Sequence, residues 1–250
     1  MPKAVICIPT YNEKDNLESL LPKMREIIES RSLDATILII DDNSPDGTAD
    51  VAREFMKRTS TVDLLFRQTK EGLGRAYIAA FEYAMKKYTP SYIFEMDADL
   101  SHPPEVFPAM LEALEQGRAD FVVGSRKVPG GGTVNWGMHR RLTSNIGNTY
   151  ARLLLRLPIK DVTSGYRGFR SEFLKRINLQ SVNSGGYSFQ IEMAYLVTKL
   201  LRARSAEVPI TFVDRKIGKS KLGMKDIFEF FLLAFRLSFF GWRRRQKLLT

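Results

Sequence analysis

The chain has 250 residues, of which 44% are hydrophobic, and carries a formal net charge of +10. This length and composition predict one large domain or two small ones with a sizeable core, and they exclude a disordered chain. The single cysteine, Cys7, excludes an internal disulfide framework, and the N-terminal residues lack the features of a signal peptide, so a reducing compartment is expected.

The first half alternates between strand and helix patterns. We predict strands at residues 4–8, 36–40, 62–66, 92–96 and 121–124, and helices at 17–28, 49–57, 72–85 and 106–115. This βαβα order predicts an α/β fold, namely a single Rossmann-like domain with a mainly parallel central sheet and helices on both faces.

The pattern changes after residue 125. We predict a glycine-rich loop at 127–138, a helix at 142–155, a polar turn region at 161–170 and a strand at 207–214. No linker separates the halves, so residues 1–223 are predicted to form one domain. Within it, residues 1–125 are the nucleotide-binding half and residues 126–223 the acceptor-binding half, while residues 224–250 form a tail.

The two halves differ in charge. Residues 1–125 contain 14 Lys/Arg and 21 Asp/Glu, whereas residues 126–250 contain 24 and 7. An acidic half suits metal and hydroxyl groups, and a basic half suits phosphates.

Two acidic pairs follow predicted strands. Asp41-Asp42 follows residues 36–40, and Asp97-Ala98-Asp99 follows residues 92–96. Because the carboxyl ends of parallel strands share one edge, we expect four carboxylates on one rim. Such hard oxygen ligands suit a divalent cation bound to a diphosphate. The alternative is that each Asp caps a turn or a helix; the occurrence of two pairs in register favours a site.

Longer motifs carry a family resemblance. Residues 8–13, 41–48 and 97–105 resemble the inverting glycosyltransferases of family 2, which have a GT-A fold. Residues 124–126, 161–167, 186–192 and 218–222 are similar to the dolichol-phosphate (polyprenol-phosphate) mannosyltransferases. The resemblance covers residues 4 to 235, nearly the whole chain.

The resemblance implies a donor site for GDP-mannose. The residues it assigns to donor binding are Pro9, Tyr11, Glu13, Ile39, Asp41, Asp97, Ala98, Asp99, Arg215 and Lys221. Among these, Asp97 and Asp99 would also hold Mg²⁺ or Mn²⁺. Ser101 stands where some relatives have Gln, and its short hydroxyl is a doubtful metal ligand.

The resemblance also implies an acceptor site. Arg126 and Arg140 match positions that bind the phosphate of a polyprenyl (dolichyl) phosphate, and Arg126 joins Asp97 and Asp99 as a catalytic residue. The implied reaction is an inverting transfer of mannose that gives a β-linked mannosyl phosphate. The attacking phosphate oxygen is already ionised, so no strong general base is needed, and His102 and His139 are expected to be structural or solvated.

The tail has too much apolar surface for an ordinary amphipathic helix. No stretch reaches the roughly 18 uncharged residues of a spanning helix, but residues 224–240 are rich in Phe and Leu, and Arg243, Arg244, Arg245 and Lys247 follow. This order predicts a C-terminal amphipathic interfacial helix, which would place the protein peripherally on the cytoplasmic face of a membrane. The alternative is that these phenylalanines pack on the domain or on a partner helix.

Two other functions stay open. One is a polyprenyl-phosphate glycosyltransferase that uses a UDP-sugar. The other is a non-catalytic nucleotide- or RNA-binding protein. No nucleic acid is expected, because the basic residues lack the interleaved aromatic platform of a single-strand binder. Whether a small membrane-anchoring subunit is needed also stays open.

Overall fold

The computed structural model describes residues 2–213, 224–241 and 248–249. Its strands are β1 (Ala4–Thr10), β2 (Ala35–Asp41), β3 (Val62–Phe66), β4 (Tyr92–Glu95), β5 (Phe121–Ser125), β6 (Gly132–Val134), β7 (Arg167–Arg170), β8 (Ser205–Pro209) and β9 (Thr211–Val213). Its helices are α1 (Lys14–Ser30), α2 (Thr48–Arg58), α3 (Leu73–Lys87), α4 (Phe107–Glu115), α5 (Met138–Leu155), α6 (Ser171–Lys175), α7 (Gly186–Tyr195) and α8 (Met224–Phe240).

Seven strands form one sheet in the order β3-β2-β1-β4-β7-β5-β8. The pairs β1–β2, β1–β4, β2–β3 and β5–β8 are parallel, whereas β7 is antiparallel to both of its neighbours. The prediction of a mainly parallel sheet with helices on both faces is confirmed. Within the described residues, no helix is long and apolar enough to cross a membrane.

Alternate residues of the strands feed two hydrophobic clusters, one on each face of the sheet. In β1, Val5 and Cys7 pack with α3, α7 and α8, while Ile6 and Ile8 pack with α1 and α4. All four are fully buried. Burying such a side chain contributes about 1.5–3 kcal/mol, so the central strands are strongly fixed and their carboxyl ends form a rigid edge.

Strand β7 corrects the predicted turn region at 161–170. Its residues Arg167, Gly168, Phe169 and Arg170 include two cations and a glycine, which hide a central strand from a hydrophobicity pattern. Gly168 has a packing reason, because a Cβ there would lie 2.4 Å from Cε1 of Phe94 in β4.

Helix α7 was not predicted as a helix. All residues from Ser188 to Tyr195 are buried. A helix that is buried on every side has no polar face, so it lacks the 3.6-residue periodicity by which a surface helix is recognised.

The predicted strand at 207–214 is two strands in different sheets. Ile210 separates β8 from β9, and its N–H donates to the carbonyl oxygen of Ser125 at 3.0 Å. Strand β9 then pairs with β6, which lies inside the predicted glycine-rich loop. This second sheet brings Trp136 and Phe212 together, with ring centroids 5.4 Å apart.

Helix α8 packs on the domain by one side and exposes the other. Phe230, Ala234 and Leu237 are buried in the core that α5 and α7 share, whereas Phe235 and Phe239 are exposed. The predicted cationic cluster at 243–247, which follows α8, lies outside the described residues. Arg215 and Lys221 lie outside them as well.

Candidate active site

A cavity of about 490 Å³ opens at the carboxyl edge of the sheet, where β1, β2 and β4 end. The residues that line it are Pro9, Thr10, Tyr11, Glu13, Asp42, Lys70, Gly72, Leu73, Ala76, Asp97, Ala98, Asp99, His102, Arg126, Arg140, Thr163, Gly165, Gly186, Tyr187, Gln190 and Phe212. The cavity therefore combines residues from the acidic first half and the basic second half.

Only one member of the first acidic pair, Asp42, lines the cavity, and the other, Asp41, is buried beside it. Asp42 lines the cavity, and its Oδ1 lies 3.1 Å from Nη1 of Arg67. Burial raises the pKa of Asp42, and the Arg67 charge opposes this rise. Asp41 is fully buried and accepts hydrogen bonds from the N–H and Oγ of Ser44 at 3.0 and 2.6 Å. Neither Asp41 nor Ile39 lines the cavity, so three of the four expected rim carboxylates do, and Asp41 instead fixes the loop that carries Asp42.

The second acidic pair lies on the cavity in a constrained loop. Asp97 and Asp99 follow β4, and Oδ1 of Asp99 accepts the N–H of Ser101 at 3.1 Å. Leu100 has a φ of 60°, which is uncommon for a residue other than glycine. The Oγ of Ser101 is buried and Ser101 does not line the cavity, so its position does not favour it as a ligand.

The two carboxylates fit a hard cation that takes its other ligands from substrate. Among the described residues, no group of three or more His, Cys, Asp or Glu side chains forms a metal site. Asp97 and Asp99 can supply two oxygen ligands, and a diphosphate or water would supply the rest.

His102 supports this loop. Its Nδ1 accepts a hydrogen bond from the N–H of Asp97 at 3.0 Å, which leaves Nε2 as the nitrogen that carries the proton. Nε2 lies 3.8 Å from Oδ2 of Asp97. The ring is buried and stacks on Tyr166 with a centroid distance of 5.2 Å. The geometry gives His102 a positioning role, as expected for an isolated histidine.

The loop after β1 brings Pro9, Tyr11 and Glu13 to the cavity. Oε2 of Glu13 accepts a hydrogen bond from Nδ2 of Asn16 at 2.7 Å, which orients the carboxylate. Nζ of Lys70 lies 3.5 Å from the ring centroid of Tyr11, a favourable cation–π contact. Sequence reasoning missed Lys70, because a lone lysine in a polar loop forms no pattern.

Arg126 is held in a buried ion pair with Asp161. Its Nε and Nη2 donate to Oδ2 and Oδ1 of Asp161 at 2.7 and 2.6 Å, and Nη2 also donates to Oγ1 of Thr163 at 2.9 Å. Burial alone would raise the pKa of Asp161, but the charge and hydrogen bonds of Arg126 hold it below its usual value. These bonds use Nε and Nη2 of Arg126. Among the described residues Nη1 has no partner, so it is available to a ligand.

A further layer fixes Asp161 and Thr163. The N–H of Asp161 donates to Oε1 of Glu207 at 3.0 Å, and Nδ2 of Asn148 donates to Oγ1 of Thr163 at 3.0 Å. Sequence reasoning placed Asp161 in a family motif without a role. Glu207, the partner of Asp161, and Asn148, the partner of Thr163, were not predicted from the sequence, because they lie in distant elements, β8 and α5.

Arg126 and Arg140 meet at Trp136. Their guanidinium carbons lie 5.3 and 4.2 Å from the indole ring centroid, and Arg126 also lies 5.4 Å from the ring centroid of Phe212. The structure thus brings together the two arginines that were predicted to bind the acceptor phosphate. An aromatic face attracts both cations and so offsets part of their mutual repulsion.

A buried polar cluster underlies the cavity. Glu95 of β4 is in register with Arg167 of β7, and both are fully buried. Arg167 donates to the carbonyl oxygens of Ser164 and Val162, both at 2.8 Å, and to that of Gln190, which lines the cavity. Burial raises the pKa of Glu95 to about 7, and the Arg167 charge opposes the rise.

Comparisons with known proteins agree with this geometry. The family described as Glycosyl transferase family 2 matches residues 5–177. An undecaprenyl-phosphate mannosyltransferase from Micrococcus luteus is 42% identical over 220 residues, which cover 88% of this chain and 87% of the relative. A polyprenol monophosphomannose synthase from Mycolicibacterium smegmatis is 39% identical over 244 residues, which cover 97% and 88%.

Solved structures share the fold. Mannosyl-3-phosphoglycerate synthase from Rubrobacter xylanophilus aligns with a TM-score of 0.65 and 17% identity, covering 98% of this chain and 75% of that one. A mannosyltransferase from Pyrobaculum calidifontis, solved with GDP-Man and Mn²⁺, aligns with a TM-score of 0.56 and 18% identity, covering 98% and 61%.

The family match spans most of the chain and both relatives are aligned over nearly their whole length, so the non-catalytic alternative is set aside. The chain belongs to glycosyltransferase family 2, has a GT-A fold, and is a glycosyltransferase related to polyprenyl-phosphate mannosyltransferases.

Proposed function

We propose that the chain transfers mannose from GDP-mannose to a polyprenyl (dolichyl) monophosphate with inversion at the anomeric carbon. The observation that carries the proposal is a single cavity lined by Asp97 and Asp99 on one loop and by Arg126 and Arg140 from the other half of the chain. Both curated relatives are named for the transfer of mannose to a polyprenyl phosphate, which supports the same substrate class.

On the donor side, Pro9, Tyr11 and Glu13 would bind the nucleoside. Asp97 and Asp99 would hold Mg²⁺ or Mn²⁺, which when bound neutralises the leaving diphosphate. Ala98 lies between them, buried but on the cavity. Asp41 and Ile39 are buried behind the cavity wall, and they act in this proposal through the loop that carries Asp42. Arg215 and Lys221 remain predicted neighbours of the diphosphate.

On the acceptor side, Arg126 and Arg140 would bind the phosphate monoester through charge-assisted hydrogen bonds. One anionic phosphate oxygen attacks the anomeric carbon as the bond from that carbon to the diphosphate oxygen breaks. An α-linked donor then gives a β-linked product. The protein holds two anions in line and reduces their repulsion; it has no proton to remove from the nucleophile.

The acceptor also sets the location that we propose. A polyprenyl chain stays in a bilayer while a sugar nucleotide is dissolved in water, so the enzyme would work peripherally on the cytoplasmic face of a membrane. Residues 224–250 remain the predicted interfacial segment, and a small membrane-anchoring subunit stays an open question.

A panel of sugar nucleotides with a short polyprenyl phosphate and Mg²⁺ or Mn²⁺ tests the proposal. We expect lipid-linked mannose from GDP-mannose, with the β configuration by NMR, and no product from the polyprenol that lacks phosphate. Product only from UDP-glucose or another UDP-sugar would establish the runner-up function. Product from the unphosphorylated alcohol would contradict the proposed acceptor site.

A further inference from the structure

Gln190 on α7 is a buried glutamine whose side chain makes no hydrogen bond of normal geometry with a described residue. It is 3% exposed and lines the cavity, and both Oε1 and Nε2 of its amide lack a partner among the described residues. Buried amides are almost always hydrogen-bonded, because burial removes their bonds to water. An unpaired amide on the wall of a cavity therefore indicates a group that binds there and completes its hydrogen bonds.

Gln190 is joined to the acceptor side of the cavity through Arg167. The carbonyl oxygen of Gln190 accepts a hydrogen bond from Nη1 of Arg167, and Nε of Arg167 donates to the carbonyl oxygen of Ser164 at 2.8 Å. The residue before Ser164 is Thr163, whose Oγ1 accepts a hydrogen bond from Arg126. Gln190 is thus fixed relative to an arginine that we propose binds the acceptor phosphate.

Gln190 is joined to the donor side of the cavity through Glu95. Glu95 lies two residues before Asp97 and is in register with Arg167. Burial raises the pKa of Glu95, and both the Arg167 charge and the Gln190 amide oppose the rise, so the amide lies close to this carboxylate. Asp97 is a proposed ligand of the metal bound to the donor diphosphate. The group that joins this diphosphate to the acceptor side in the proposed reaction is the transferred sugar.

The chemistry of this part of the wall fits a neutral hydroxyl group better than a phosphate. A side-chain amide has one acceptor oxygen and two donor hydrogens, which match a pair of adjacent hydroxyl groups. Glu95 is fully buried, and its negative charge when ionised would repel a phosphate here. All three guanidinium nitrogens of Arg167 already donate to backbone carbonyl oxygens. The wall therefore suits a sugar.

We propose that Gln190 is a specificity-determining residue that hydrogen-bonds hydroxyl groups of the transferred sugar. The proposal deepens the proposed function and rests on it for the presence of a sugar nucleotide in the cavity. A site built to hydrogen-bond a hydroxyl group rejects an analogue that lacks this group, because its own buried polar atoms are then left unpaired. Gln190 should accordingly discriminate among donors that differ only in the sugar.

Isothermal titration calorimetry of the full chain with Mg²⁺ and without acceptor tests the proposal. The measured quantity is the ratio of the Kd for GDP-mannose to the Kd for GDP, which isolates the contribution of the sugar. We expect Gln190→Met, which keeps the length of the side chain, to raise this ratio by about tenfold with the Kd for GDP unchanged. Gln180→Met, at an exposed glutamine away from the cavity, is the matched control and should keep the wild-type ratio.

GDP-mannose analogues that each lack one hydroxyl group make the test specific. We expect wild type to bind at least one of them about tenfold more weakly than GDP-mannose, and Gln190→Met to bind that analogue and GDP-mannose equally well. A merely structural role would not produce this selective effect. Circular dichroism and thermal melting verify that the variants are folded.

Three results would overturn the proposal. The first is an unchanged ratio in Gln190→Met, and the second is an equal loss of affinity for GDP and GDP-mannose. The third needs no variant, namely a wild type that binds every deoxy analogue as tightly as GDP-mannose. If the chain binds UDP-glucose and not GDP-mannose, the proposed donor is wrong, and the same comparison with UDP, UDP-glucose and its deoxy analogues decides the role of Gln190.

Discussion

Arg140 stacks on Trp136, with its guanidinium carbon 4.2 Å from the ring centroid, and Arg126 approaches the same ring at 5.3 Å. One indole thus contacts both of the arginines that we propose bind the acceptor phosphate. Trp136 is buried and belongs to neither predicted set of site residues. Its role in placing the two charges is open to direct measurement.

Replacing Trp136 should weaken acceptor binding. A cation–π contact is worth about 0.5–2 kcal/mol, so we expect Trp136→Leu to raise the acceptor KM by about tenfold, with little change in the GDP-mannose KM. Trp136→Phe keeps an aromatic face and should restore most of the loss. Equal KM values for the Leu and Phe variants would show that the ring only fills space.

Asp161→Asn should destabilise the fold and raise the acceptor KM. Removing one partner of a buried ion pair costs about 3–5 kcal/mol, and Arg126 loses the carboxylate that orients it. Urea unfolding and steady-state kinetics measure the two effects. Asp50→Asn is the control, because Asp50 pairs with Arg53 at 2.6 Å on the surface, where both side chains are exposed. That variant should lose at most about 1 kcal/mol.

Asp99→Ala should abolish transfer while the protein stays folded, because the diphosphate would lose a ligand of its counter-ion. Excess chelator should have the same effect on wild type, and added Mn²⁺ should reverse it. Ser101→Ala, next to the same loop but away from the cavity, should keep its activity. Near-normal turnover by Asp99→Ala would refute the metal assignment.

Glu95 should make stability depend on pH near neutrality. Its pKa is about 7 in the folded chain, against the ordinary glutamate value of 4.5 in the unfolded chain. Between these pH values the folded chain therefore binds more protons than the unfolded chain. Stability contributed by protonated Glu95 is present below pH 4.5 and is lost as pH rises through 7, by at most about 3 kcal/mol. In Glu95→Gln, the free energy of unfolding between pH 5 and pH 8 should depend less on pH. Glu112→Gln, at a side chain that is 57% exposed, should retain the wild-type slope. An unchanged slope in Glu95→Gln would contradict the assignment.

The parts of the fold with strong local patterns were predictable from sequence. β1, β2 and β4 are apolar runs that end in motif residues, and the parallel topology then brings Tyr11, Asp42 and Asp97 to one edge. The hydrophobicity pattern, together with the rule that ligands bind at the carboxyl ends of parallel strands, is enough to predict this half of the site.

The rest depends on tertiary contacts that leave no local pattern. β7 is hidden because the charged Arg167 is buried, where it donates to the carbonyl oxygens of Val162 and Ser164 in the preceding turn and of Gln190 in α7; α7 is hidden because its residues from Ser188 onward are all buried. The family resemblance selected Arg126, but its orientation depends on Asp161, 35 residues away. The choice between Asp41 and Asp42 depends on which of two adjacent side chains turns inward, and only the packed loop decides that.

The position of β7 has a consequence for how the molecule holds together. This strand comes from the second half of the chain, yet it lies between β4 and β5, which both come from the first half. The two halves are therefore interwoven. The first half alone can pair β1, β2, β3 and β4, but the ladder that continues from β4 to β5 and β8 exists only when both halves are folded. A chain cut near residue 125 would leave β4 and β5 without the strand that joins them. The described core should accordingly melt in one cooperative transition, and the donor and acceptor sides of the cavity should be lost together.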